Sequence, residues 1–129
     1  MLGEERARAL LAAALAAAGE RGLAVSIAVV DDGGYLLGLV RMDGAHKLTP
    51  QMAIDKAYTA AIYRRPTAAM TAMPPELLAA ARHAGLYDVL VMPGGVPVLE
   101  GELVVGGIGV AGAAPEADAE CAEIGAAAP

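Results

Sequence analysis

The chain has 129 residues, a formal net charge of −6, two histidines and one cysteine. That length allows a single domain. The acidic balance and scattered basic residues, of which only Arg64 and Arg65 adjoin, exclude a phosphate-neutralising nucleic-acid surface and adhesion to an anionic membrane.

Hydrophobic residues make up 57% of the chain, yet there is no Phe and no Trp. Much of the apolar content is alanine, which buries little area per side chain at roughly 25 cal/mol per Å². A core built this way is thin, so self-association into a homo-oligomer is expected. Cys121 stands alone, which rules out an intrachain disulfide and a multi-cysteine metal site and fits a reducing, cytoplasmic setting.

The first element is a helix over Glu4–Glu20. Ala7, Leu10, Leu11, Ala14, Leu15 and Ala18 fall on one face at helical spacing, the acidic pair Glu4–Glu5 in the first turn complements the helix dipole, and Gly22 is a natural C-cap. The run LLAAALAAA imitates a signal-peptide core, but the preceding MLGEERAR lacks a positive balance. No segment is long and apolar enough to span a membrane as a helix.

Leu23–Asp31 reads as a buried strand with Val25, Ile27 and Val29 on one side and the smaller Ala24, Ser26, Ala28 and Val30 beneath a helix. Asp32-Gly33-Gly34 turns the chain, and Tyr35–Asp43 returns as a second strand. Gly44–Leu48 is a loop. Thr49-Pro50 opens a helix, Thr as N-cap and Pro at the first position, that runs to about Tyr63, with alanines 53, 57, 60 and 61 permitting close approach. Thr67–Met73 reads as a short helical stretch and Glu76–Ala84 as a further helix ending at Gly85. Strands follow at Tyr87–Met92, Val96–Leu99 and Glu102–Val110, then a last helix over Pro115–Ile124. Meanders of strands separated by helices predict an α/β chain of the α+β kind, with a profilin-like antiparallel sheet of about five strands flanked by helices.

Three segments carry a resemblance: VVDDGGYLLGLVRMDGA (29–45), AIDKAYTAA (53–61) and GGVPVLEGELVVGGIGVAG (94–112), followed by an acidic helix. In this order the chain resembles the GlcG/HbpS-like family, whose members are described as haem-binding or haem-degrading, as accessory proteins and as pathway proteins. The final strand departs from the family's usual Gly-Val-Ser-Gly ending and reads Gly109-Val110-Ala111-Gly112, so any role of that hydroxyl is absent.

The stretch Gly107–Gly112 matches G-x-G-x-x-G, but too little chain follows for the second strand and acidic residue of a dinucleotide site. The plainer reading is a strand whose missing side chains let a backbone, a subunit or a flat ligand approach. Arg41, Asp43, His46 and Lys56 occupy a strand end, a loop and the next helix, which converge naturally on a pocket. Arg41 and Lys56 suit a carboxylate or haem propionate; His46 suits axial ligation or proton transfer. Against this stand an Arg41–Asp43 pair that only fixes the loop, a solvated His46, and a Lys56 that is solvated or pairs with Asp55 of a neighbouring subunit. Thr59, one turn from Lys56, either bonds a ligand or bonds back to its own helix. His83 near a helix end reads as structural, as do the strand residue Ser26 and Cys121.

The leading expectation is therefore a homo-oligomeric small-ligand-binding protein, with haem as the candidate cofactor and no metal bound directly by the chain. Its pocket is expected to use Arg41, Lys56, Thr59, Gly94, Gly95 and Gly107. The first alternative is an enzyme of small-molecule metabolism, with a biosynthetic pathway as one setting, that anchors an anionic substrate on Arg41 or Lys56 and moves a proton on His46 or Asp43. The second is a non-catalytic accessory subunit.

Overall fold

A computed structural model describes all 129 residues. The elements are α1 (Glu4–Glu20), β1 (Ser26–Asp31), β2 (Leu36–Arg41), α2 (Thr49–Tyr63), a 3-10 turn (Thr67–Met70), α3 (Pro75–Ala81), β3 (Gly95–Glu100), β4 (Leu103–Ala111) and α4 (Pro115–Ala126). The sheet has four strands in the order β2-β1-β4-β3, every neighbouring pair antiparallel. No helix is long and apolar enough to cross a membrane.

Period-two alternation sends the two sides of β1 into different packing layers. Val25, Ile27 and Val29 join Leu10, Ala14, Ile108, Val110, Cys121 and Ala122 in the larger core beneath α1 and α4. Ala28 and Val30 join Ala53, Ile54, Ala57, Ala61 and Ala111 in a smaller core beneath α2. This second layer is thin because α2 lies against the backbone of β4. A Cβ at Gly107 would collide with the Ala57 carbonyl, and one at Gly109 with the Ala53 carbonyl. Glycines on the strand and alanines on the helix together set that close approach.

The β1–β2 turn is held by Asp31, whose Oδ1 accepts from the amides of Gly33 and Tyr35 at 3.0 and 2.9 Å, while Gly34 adopts a positive φ of 87°. β2 is shorter than its Tyr35–Asp43 reading, and its register slips between Val29 and Val30, so the alternation along it is broken.

The fifth strand is absent. Residues 87–92 form no ladder, because their backbone finds partners elsewhere: the Val89 amide donates to the Arg82 carbonyl and the Leu90 amide to Thr59 Oγ1. This segment lies against α2, with Val89 buried and Tyr87 meeting Tyr58 edge to face at 5.7 Å. Its hydrophobicity serves that contact rather than a strand. α3 ends at Ala81, short of the Ala84 read from sequence, and buries none of its residues. Leu48 occupies the N-cap of α2 and Thr49 is its first residue. The Thr49 hydroxyl donates to the His46 carbonyl at 2.7 Å and shares a 2.8 Å bond with Ser26 Oγ.

Candidate functional site

Three pieces of chain meet at the open end of β4. The loop after β2 brings His46 and Leu48, the first turns of α2 bring Thr49, Met52 and Lys56, and the passage from β4 into α4 brings Gly112, Ala113, Pro115 and Asp118. With Met92 they line a cleft of about 280 Å³. Its volume sits at the small end of ligand sites, which run from ~300 to ~1,000 Å³.

Lys56 and Asp118 form its polar floor. The Lys56 ammonium donates to the Val110 carbonyl at 2.9 Å and to Asp118 Oδ2 at 3.2 Å. Their side chains are 1% and 3% exposed. The other carboxylate oxygen, Oδ1, accepts from the Ala113 amide at 3.0 Å. Burial lowers the pKa of Lys56, an effect that Asp118 partly opposes. Burial likewise raises the pKa of Asp118, opposed chiefly by Lys56 and then by the Ala113 amide. Desolvation thus pushes both members toward their neutral forms. Gly94 and Gly95 close the structure around this lysine: a Cβ at Gly94 would come within 2.8 Å of Lys56 Nζ, and one at Gly95 would collide with the Lys56 carbonyl.

His46 is exposed at the mouth of the cleft. Its Nδ1 accepts from the Leu48 amide at 3.2 Å. The neutral ring therefore carries its proton on Nε2 and offers a donor outward.

Of the residues singled out from sequence, His46 and Lys56 share the cleft. Arg41 and Asp43 are exposed, line no part of it, and form neither an ion pair nor a side-chain hydrogen bond with each other. Thr59 is fully buried and spends its hydroxyl on the fold, donating to the Asp55 carbonyl at 2.7 Å and accepting from the Leu90 amide at 2.9 Å. Gly94, Gly95 and Gly107 do not border an open gap; their missing side chains are replaced by Lys56 and by the α2 backbone. Lys56 is not solvated and pairs with Asp118 of its own chain, while the Asp55 carboxylate accepts from Gln51 at 2.8 Å.

Asp118 is not among the residues that sequence singles out, and Met92 is not distinguished there from the other methionines. For Asp118 a signal exists: it falls on the same helical stripe as Cys121, Ala122 and Gly125, and a carboxylate on an apolar stripe requires a buried partner. Met92 carries no such signal. Cys121 is fully buried, and burial raises its thiol pKa, so it packs as an apolar residue.

Comparison with known proteins agrees with this architecture. Protein GlcG of Escherichia coli K12 is 38% identical over 110 residues, covering 85% of this chain and 81% of GlcG. A crystal structure of a double mutant of HbpS from Streptomyces reticuli superposes with a TM-score of 0.88 at 36% identity, covering 98% of this chain and 85% of that one. The structure of a PduOC–haem complex superposes with a TM-score of 0.80 at 25% identity, covering 99% and 94%. A family model described as "Haem degrading protein HbpS-like" matches residues 2–127, and the chain belongs to that HbpS-like family.

Proposed function

We propose that this protein binds a small ligand at the His46–Lys56 cleft, that the ligand is haem, and that it does so as a homo-oligomer. The observation that carries this reading is the placement of an exposed imidazole and a thioether, His46 and Met92, on one concave surface whose floor is the buried Lys56–Asp118 pair. The haem-related description of the family and the haem complex of one structural relative support the choice of ligand.

The donor set fits the group. Imidazole and thioether are both axial ligands of haem iron, and Lys47, exposed beside His46, suits a propionate. A tetrapyrrole would extend beyond a 280 Å³ cleft, and the exposed side chain of Leu48 would supply apolar rim for it. Haem, when bound, supplies an iron centre whose reactivity is set by its axial ligands. His46 would hold the iron through Nε2 only with its ring proton on Nδ1, which would cost the bond from the Leu48 amide.

The oligomer is supported by the thin alanine core and by exposed leucines near both edges of the sheet, Leu36 and Leu39 on β2 and Leu99 and Leu103 at the β3–β4 hairpin. An enzymatic reading built on Arg41 and Asp43 draws no support from their position outside the cleft.

Titration of the purified chain with haemin tests the ligand. A Soret shift that saturates at a fixed haem-to-subunit ratio and is altered in His46→Ala or Met92→Ala is the expected result. A shift that never saturates, or that is identical in both variants, removes haem from this cleft. Sedimentation analysis tests the assembly, and a monomer at all concentrations refutes it.

A further inference from the structure

We infer that Lys56 is a carbonyl-reactive amine, and that the cleft takes small aldehydes or 2-oxo acids as imines on its Nζ. This rests on the cleft as a ligand site but not on haem as the ligand.

The chain has only two lysines, Lys47 and Lys56, and they occupy opposite environments. Lys47 is exposed. Lys56 is almost fully buried, with its nitrogen against Asp118, yet it still lines the cleft. An ammonium ion has three donors, and the fold offers Lys56 Nζ two acceptors, the Val110 carbonyl and Asp118 Oδ2. These two partners leave the third hydrogen of the ammonium without an acceptor in the chain. Burial in apolar surroundings is also the general way in which a lysine becomes a nucleophile near neutral pH, and the lowered pKa of Lys56 agrees with it.

Asp118, at 3.2 Å, gives the proton somewhere to go. Transfer from the Lys56 ammonium to the Asp118 carboxylate leaves a free amine beside a carboxylic acid, with no change in net buried charge. The amine lone pair attacks the carbonyl carbon to form a C–N bond as the C=O π bond opens, and one of the two nitrogen hydrogens passes to that oxygen, giving a carbinolamine. The C–O bond then breaks, the oxygen taking a proton from Asp118 and leaving as water, while the nitrogen lone pair completes the C=N bond. Hydrolysis reverses every step, so capture needs no oxidant or reductant. His46 at the mouth presents its Nε2 hydrogen outward and suits the carboxylate of a 2-oxo acid. Met92, unbranched and exposed, is the part of the lining that can swing aside to admit a ligand.

The test is reductive trapping on the intact folded chain. Acetaldehyde and glyoxylate are supplied separately with cyanoborohydride at neutral pH, and adducts are located by peptide mass spectrometry. The expected result is a single adduct on Lys56, forming at least about tenfold faster than on Lys47. Asp118→Asn, with its fold checked by circular dichroism, is expected to slow that adduct about tenfold or more. Modification of Lys47 and the N-terminus while Lys56 stays unmodified until urea is added overturns the inference and leaves Lys56 as a structural cation. Haemin titration reads the other proposal independently: a chain that traps aldehyde but shows no Soret shift loses haem only, and the converse loses the imine only.

Discussion

Lys56 on α2 and Asp118 on α4 lie on opposite sides of the sheet's open end and meet at 3.2 Å with almost no solvent contact. The pair ties together two helices that otherwise pack on different faces. Leaving either charge alone in that environment is expensive. Lys56→Met or Asp118→Leu alone is expected to destabilise the chain by about 3–5 kcal/mol, whereas the double variant is expected to be near neutral or more stable. Urea denaturation of the three variants and the parent, taken as a double-mutant cycle, checks this. Additive losses count against the coupling.

The same pair makes a pH prediction. In Lys56→Met, Asp118 loses the partner that restrains its upward shift from 3.8, so its folded-state pKa climbs further above the unfolded value. Its ionised form is then the destabilising one, and the penalty is present above the folded pKa and relieved as the pH falls through it. The stability deficit of Lys56→Met relative to the parent is expected to shrink as the pH falls toward the ordinary carboxylate value of 3.8. A deficit that is flat or grows over that window contradicts the assignment.

Glycine positions separate sharply by what surrounds them. Gly107→Ala and Gly109→Ala drive a methyl into the α2 carbonyls and are expected to cost about 1–3 kcal/mol, as overpacking does. Gly19→Ala, in the last turn of α1 with nothing within 4 Å of the new methyl, is expected to add up to about 1 kcal/mol. Thermal denaturation distinguishes the two classes.

Thr59 pins the 82–94 segment through the Leu90 amide. Thr59→Val removes the acceptor and is expected to cost about 1–3 kcal/mol. The loss should be local as well as global: the Leu90 amide is expected to exchange with deuterium markedly faster than amides in β1. Uniform exchange behaviour across the chain refutes the local role.

Much of this layout can be read directly from residue types. The apolar stripe of α1, the small-residue face of β1, the Pro50 helix start and the glycines of β4 each determine their own surroundings, because each is a short-range preference that the tertiary fold then satisfies. Tyr87–Met92 misleads because a short apolar run has the same composition whether it joins a ladder or lies across a helix, and only the Thr59 hydroxyl, about 30 residues earlier, decides between them. The cleft is half legible for a similar reason. His46 stands out as one of two histidines, but the state of Lys56 depends on Asp118, 62 positions along the chain. Arg41 and Asp43 are close in sequence to His46, yet Arg41 at the end of β2 and Asp43 in the turn after it both stand in solvent.

The β1–β4 ladder has a consequence for biosynthesis. It pairs Ser26 with Ala111 and Asp31 with Gly106, so the centre of the sheet joins strands far apart in sequence, with β2, α2, α3 and β3 an excursion between them. Such distant pairing makes for slow closure. On the ribosome β1 emerges early and has only β2 as a neighbour until translation passes Ala111, so its second edge must wait, unpaired, for most of the protein to be made. A nascent chain halted before β4 is therefore the form most exposed to strand-to-strand aggregation.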